Sequence, residues 1–186
     1  MAKENLTELK SSLLALLKKG AYQKGQFVLS SGRTSDYYLD GRAITLTPEG
    51  AHLVAGIILE MIKGADIGAV GGPTLGADPI VGAVACLAYI NKVPISTFIV
   101  RKSAKGHGTQ RQIEGPQLKE GCRVVLVDDV ATTGRALIEA KEALDKVGAK
   151  ICRTIVIVDR QEGAAENLEK AGLRLEPIFK IEDLHI

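Results

Sequence analysis

Apolar residues recur along the chain with two alternating periods. Over residues 6–19, "LTELKSSLLALLKK" spaces its leucines for one helical face, predicting an amphipathic helix that stops at Gly20. Thr47, Pro48 and Glu49 read as a helix start, with Thr as N-cap and Pro in the first turn. Leu53, Val54, Ile57, Ile58, Met61 and Ile62 continue one apolar stripe, and Gly64 closes it. "IGAV" at 67–70 is a short buried strand that enters "GGPTLGADP". There Asp78 and Pro79 read as N-cap and first turn of a helix running through Asn91. "ISTFIV" (95–100), "RVVLVDD" (123–129) and "RTIVIVD" (153–159) are further strands. Between the last two, Leu137, Ala140, Ala143, Leu144 and Val147 form a helical face that ends at Gly148.

Strands apolar on both faces, each separated by a helix, imply an α/β fold with a parallel twisted sheet flanked by helices. With 186 residues and no internal repeat or linker, one domain is the economical reading. Ligands of such sheets bind beyond the carboxyl ends of the strands. Gly71, Arg101, Asp128 and Asp159 are expected at those ends, around one crevice. From Arg101 to about Gly121 neither period is present, and "RKSAKGHGTQRQ" carries four cations, a histidine and two glycines. Composition alone reads this as a solvated loop. Its length and its place at a strand's carboxyl end favour a cationic lid over the crevice.

Composition narrows the function classes only modestly. A hydrophobic share of 46% is ordinary for a globular protein, and the apolar runs are too short to span a bilayer, so no membrane is expected as a partner. The polar start "MAKENLTELK" lacks the apolar stretch of a secretory signal. Cys86, Cys122 and Cys152 are widely spaced, and read as buried thiols of a reducing compartment; neither a disulfide framework nor a zinc site is indicated. The expected location is cytoplasmic. A net charge of +2 is too small to argue for nucleic acid, and the basic residues concentrate in the lid segment.

The strongest chemical signal is "VVLVDDVATTGRA", residues 124–136. An apolar strand feeds two acids, then a Thr-Thr-Gly turn opens a helix whose first N–H groups point outward unpaired. A phosphate suits the turn, but carboxylates repel phosphate, so the acids must serve another part of the same ligand. A sugar 5-phosphate satisfies both: ribose hydroxyls donate to Asp128 and Asp129, while the turn from Ala131 to Gly134 takes the phosphate. Thr132 and Thr133 add hydroxyl donors, and Gly134 permits close backbone approach. The GxxxxGK[ST] pattern of P-loop proteins and the GxGxxG of dinucleotide folds are both missing.

This stretch resembles the motif that binds phosphoribosyl pyrophosphate in type I phosphoribosyltransferases. Three further stretches resemble the orotate phosphoribosyltransferase family: "FVLSSGRTSDYYLD" (27–40), "RKSAKGHG" (101–108) and "VDRQEG" (158–163). The resemblance implies one phosphoribosyltransferase domain over residues 1–186. Within it, about 1–45 form a small N-terminal segment covering the base site and about 101–120 a mobile catalytic loop. It implies transfer of a phosphoribosyl group to orotate with Mg²⁺ as cofactor, the metal bridged through the substrate's diphosphate and ribose with no direct protein ligand. By the same resemblance, Arg101, Lys102, Lys105 and His107 meet the diphosphate. Asp128, Asp129, Val130, Ala131, Thr132, Thr133, Gly134, Arg135 and Ala136 hold the ribose phosphate, and Thr132 with Arg160 meets orotate. Lys105, His107, Asp128 and Asp129 are its catalytic residues, and "GGPTLGAD" takes the position of its pyrophosphate loop. The family is a homodimer whose lids complete the neighbouring sites.

Physical chemistry agrees on the base, since orotate carries a carboxylate and arginine suits bidentate carboxylate recognition. Tyr37 and Tyr38 either stack on the pyrimidine or form a half-buried edge. Two positions depart from the family pattern. Ser30 stands where many members have lysine, and no lysine lies between Gly71 and Tyr89. Three rivals fit less well: a regulator that binds nucleic acid, a transferase for an uncharged base, and a phosphoacceptor domain with paired acids.

Overall fold

The computed structural model describes residues 5–28, 34–103 and 111–184. In chain order its elements are α1 (Leu6–Gly20), β1 (Tyr22–Val28), β2 (Thr34–Leu39), α2 (Arg42–Thr45), α3 (Pro48–Met61), β3 (Ala69–Pro73), α4 (Asp78–Ile90) and β4 (Ser96–Val100). There follow β5 (Ile113–Glu114), β6 (Arg123–Ala131), α5 (Arg135–Lys146), β7 (Lys150–Asp159), α6 (Ala164–Lys170), β8 (Leu175–Lys180) and α7 (Ile181–Leu184). Among the described residues no helix is long and apolar enough to cross a membrane.

Six strands form the main sheet in the order β5-β4-β3-β6-β7-β8. All neighbours pair in parallel except β5, which runs antiparallel to β4. The sheet is therefore mixed at one edge. Two residues are too few to show a period, so β5 falls within the stretch 101–121 that reads as patternless. Its pairing is nonetheless specific, with Val100 opposite Ile113 and Ile99 opposite Glu114.

The period of two along β6 sorts side chains between two cores. Val125 and Val127 join the core beneath α1, α3 and α4, whereas Val124 and Leu126 join the core beneath α5 and α6. Leu9, Leu13 and Leu17 of α1 are at most 4% exposed, and burying each contributes roughly 1.5–3 kcal/mol. Asn5 and Glu8 cap that helix reciprocally, at 2.9 and 3.0 Å. Thr47 accepts from Gly50 N–H at 3.1 Å and so caps α3 as its sequence predicts.

Four expectations are corrected. Asp78 is the first residue of α4, and Ala77 is its N-cap; the Asp78 carboxylate turns back to accept from Thr74 Oγ1 at 2.8 Å. Gly71 lies inside β3, level with Phe98 and Leu126, because the strand continues to Pro73. Val147 follows the end of α5 and is 41% exposed. None of the cysteines is fully buried: Cys86 is exposed on the outer face of α4, and Cys122 and Cys152 are half-buried.

A separate antiparallel ribbon, β1 with β2, lies outside the main sheet. Its Tyr22 stacks on Tyr37 with ring centroids 5.6 Å apart.

Candidate active site

Strand order reverses between β3 and β6, since β4 lies on one side of β3 and β6 on the other. Such a switch point opens a crevice between the loops that follow the two strands. Here it is bordered by the Thr74–Gly76 turn after β3 and by the paired acids near the end of β6.

Asp128 is 8% exposed and sits in β6 opposite Val156, while Asp129 is half-buried. Adjacent residues of a strand ordinarily face opposite ways, yet these two converge. Asp128 Oδ1 accepts from Asp129 N–H at 3.0 Å, and Asp129 Oδ1 accepts from Val130 N–H at 2.8 Å. Each carboxylate is thus folded back along its own backbone. A Cβ at Gly76 would collide with Oδ1 of both acids, so only glycine lets the β3 loop sit on the pair. Gly41 approaches from the other side, where a Cβ would lie 2.8 Å from that of Asp129. Next to it, Arg42 is held by Asp40 through Nε at 3.0 Å and Nη2 at 3.2 Å. Burial pushes the Asp128 carboxyl well above the usual range, and the Asp129 charge pushes it further. Burial also raises Asp129, against backbone and side-chain hydrogen bonds and the nearby Arg42 charge. A buried acid pair of this kind favours sharing one proton between its members.

Beyond the acids β6 runs on through Val130 to Ala131, so Ala131 is strand and the turn is Thr132–Gly134. Gly134 has φ 77° and caps α5 without a side-chain hydrogen bond. A Cβ there would also lie 3.0 Å from Leu168, so conformation and packing both require glycine. Asn167 donates to the Thr133 carbonyl at 2.9 Å and holds the turn from below. No side chain caps α5, so the N–H groups of its first turn, including those of Arg135 and Ala136, are not taken up by a cap, an arrangement suited to an anion. The Arg135 side chain turns away to Glu139, at 2.7 Å.

Arg160 follows the neighbouring strand β7, and its N–H donates to the Ala131 carbonyl at 2.9 Å. The residue is only 7% exposed. Its Nε donates to Glu162 Oε1 at 2.8 Å, and its guanidinium carbon lies 4.6 Å from the centre of the Tyr37 ring. Tyr37 therefore reaches the site from the ribbon. Tyr38 instead packs against Phe27, with centroids 5.5 Å apart.

Arg101 stands just past β4. Its N–H donates to the Gln112 carbonyl at 2.8 Å, Gln112 Nε2 returns a bond to the Arg101 carbonyl at 3.0 Å, and Glu114 pairs with Nη1 at 3.5 Å. These contacts clamp the two stems of the 101–120 segment together. The Arg101 Nε is buried without a partner among the described residues. Lys102 is exposed, and Lys105 and His107 lie outside the described residues.

The acids, the Thr-Thr-Gly turn and Arg160 thus meet at one crevice. Sequence reasoning missed Gly41, Gly76, the Asp40–Arg42 pair and Glu162. Only the two acids had a local signal, each standing two residues from the arginine it holds.

The phosphoribosyl transferase domain family matches residues 42–180. An orotate phosphoribosyltransferase of Nostoc sp. is 45% identical over 183 residues, covering 98% of this chain and 88% of that protein. The chain belongs to the orotate phosphoribosyltransferase family. Orotate phosphoribosyltransferase of Mycobacterium tuberculosis has a similar structure, at TM-score 0.83 and 39% identity, with 96% of this chain and 99% of that chain covered. Another structure of the M. tuberculosis enzyme, in complex with 5-phospho-α-D-ribosyl 1-diphosphate, aligns at TM-score 0.79 and 34% identity over 96% and 99% of the two chains. The expected fold is therefore that of orotate phosphoribosyltransferases, a parallel-dominated sheet with helices on both faces.

Proposed function

We propose that the protein transfers the phosphoribosyl group of 5-phospho-α-D-ribose 1-diphosphate to N1 of orotate, giving orotidine 5′-monophosphate and diphosphate. The observation that carries this reading is the meeting of Asp128, Asp129, the Thr132–Gly134 turn and Arg160 at the switch point of the sheet. In it the ribose 5-phosphate rests on the N–H groups at the start of α5 and on the hydroxyls of Thr132 and Thr133. Asp128 and Asp129 accept from the ribose hydroxyls. Arg160 and Thr132 meet orotate, with the arginine opposite its carboxylate.

As the bond from the anomeric carbon to diphosphate breaks, that carbon gains oxocarbenium character, and N1 of orotate closes on it while the N1 proton leaves to solvent or to the departing diphosphate. Arg101, Lys102, Lys105 and His107 stabilise the departing diphosphate, with His107 as its proton donor. Closure of the 101–120 segment keeps water from the cationic centre. Mg²⁺ is the proposed cofactor, and when bound it neutralises charge on the diphosphate. Its ligands would be hard oxygens of the diphosphate and ribose, and Asp128 and Asp129 would hold the ribose that presents them. Among the described residues there is no group of three or more His, Cys, Asp or Glu that could hold a metal.

The proposed assembly is a homodimer with shared sites, and the outer face of α4 supports it. Gly82, Ala85, Cys86, Tyr89 and Ile90 recur at helical spacing and are exposed, Tyr89 by 86% and Ile90 by 65%. This face begins directly behind the Gly76 loop. The proposed setting is the cytoplasm, in keeping with three free thiols.

Loss of orotate absorbance with phosphoribosyl diphosphate and Mg²⁺, and none of comparable rate with uracil or hypoxanthine, is the expected assay result. Equal use of uracil refutes the base assignment. Sharing is tested by mixing two inactive homodimers, Lys105→Ala and Asp129→Ala. Random exchange makes half the dimers mixed, each with one intact site of two, so about a quarter of wild-type sites return. No recovery, with exchange shown by mass-tagged chains, means that each lid serves its own crevice.

A further inference from the structure

The turn after β7 is built around a second charged residue that substrate contact does not require. Asp159 Oδ1 accepts from Gln161 N–H at 2.8 Å, and Gln161 has φ 56°, a conformation that side-chain-bearing residues rarely adopt. That reversal brings residues 160 and 162 to the same side of the chain. Glu162 Oε1 then receives the Arg160 Nε–H at 2.8 Å, and the two side chains are 6% and 23% exposed. A guanidinium so deeply buried needs a counter-charge. The position of this one does more than neutralise. Nε is the side edge of the guanidinium fork, and a bond there fixes rotation of the planar group about its stem. The Tyr37 ring, 4.6 Å from the guanidinium carbon, limits its tilt from the flat side.

We propose that Glu162 is a positioning residue for base recognition: it holds Arg160 by Nε and so aims the terminal-nitrogen edge at the carboxylate of the incoming pyrimidine. This rests on the proposed use of orotate. A planar fork matches a carboxylate only when both planes align, so the gain from bidentate geometry depends on the rotation that Glu162 sets. Glu162 itself touches no substrate atom in this arrangement and acts through Arg160.

Glu162→Ala should raise the KM for orotate about tenfold, the worth of one charge-assisted hydrogen bond, with the KM for phosphoribosyl diphosphate unchanged. Glu162→Asp keeps the charge but withdraws it by one methylene, and should raise the orotate KM several-fold. In an Arg160→Lys background, where no Nε–H edge exists, Glu162→Ala should add less than about twofold, because residues acting as one unit are not additive. A structural role predicts instead an equal rise in both KM values together with a lower melting temperature. That result overturns the inference, as does an unchanged orotate KM in Glu162→Ala. If Glu162→Ala does not fold, an unchanged orotate KM in Glu162→Asp overturns it equally. A wild-type protein that ignores orotate ends the proposed function itself. Wild-type use of orotate, with Arg160→Lys impaired and Glu162→Ala normal, ends only this inference.

Discussion

Arg160→Leu should lower kcat/KM for orotate by roughly 30- to 900-fold, about 2–4 kcal/mol of transition-state stabilisation, and leave phosphoribosyl diphosphate binding nearly intact. The separation follows from where Arg160 stands. It follows β7 and faces Tyr37 of the ribbon, whereas the acids and the Thr-Thr-Gly turn belong to β6 and its exit. Its backbone N–H still donates to the Ala131 carbonyl in the variant, so the two strand ends stay together. Glu162 loses its contact with Arg160 but is 23% exposed and can be hydrated there. Steady-state kinetics with each substrate varied, alongside calorimetric binding of phosphoribosyl diphosphate, checks the prediction. Unchanged orotate kinetics refute the assignment of Arg160.

The second large effect has opposite signs for activity and stability. Asp128→Asn should cut kcat/KM for phosphoribosyl diphosphate by about 10- to 100-fold, because an amide cannot ionise to give the charged acceptor that Asp128 supplies once a ribose hydroxyl donates to it. It should also raise the melting temperature at neutral pH. Burial and the adjacent Asp129 hold the folded Asp128 carboxyl above its unfolded range. The folded state therefore retains a proton that the unfolded chain releases. Stability is fully present below the unfolded carboxylate pKa and is lost as pH rises through the raised folded value. The Asn variant titrates in neither state, and its amide oxygen still accepts from Asp129 N–H. Its advantage should consequently vanish below about pH 4, where Asp128 is protonated folded or unfolded. Melting curves of both proteins across that range decide the matter. A variant less stable than wild type at neutral pH means that the carboxylate is well solvated or paired after all.

How much of this was legible beforehand depended on local signal. β6 and β7 are buried on both faces, so continuous apolar runs betrayed them, and the acids stood out because they interrupt one such run. The ribbon strands left no such trace: residues 23–26 of "YQKGQFV" are all exposed, so neither face selects apolar side chains. β8 was hidden by Pro177, which is tolerated because the strand lies at the sheet's edge. Within the site, the turn and Arg160 were readable as motifs. The contacts that seat the acids were not, because Gly41 and Gly76 are far from Asp129 in the chain and a glycine shows no chemistry of its own. Cys86 read as buried from the wide spacing of the cysteines, but α4 is apolar all round, and sequence does not say which side of such a helix is left uncovered.

Gly41 and Gly76 have an evolutionary consequence. With both pressed against the carboxylates, the floor of the crevice leaves no room for a side chain. Mutational drift there is blocked before any question of substrate arises. Tyr37 and Glu162 lie under no such steric bar. Adaptation of this protein to a new acceptor should thus be channelled to the ribbon and the turn after β7, with side chains at positions 41 and 76 excluded by contact with the acids. A saturation library should display the same split, with one half of the pocket silent and the other rich in altered specificities.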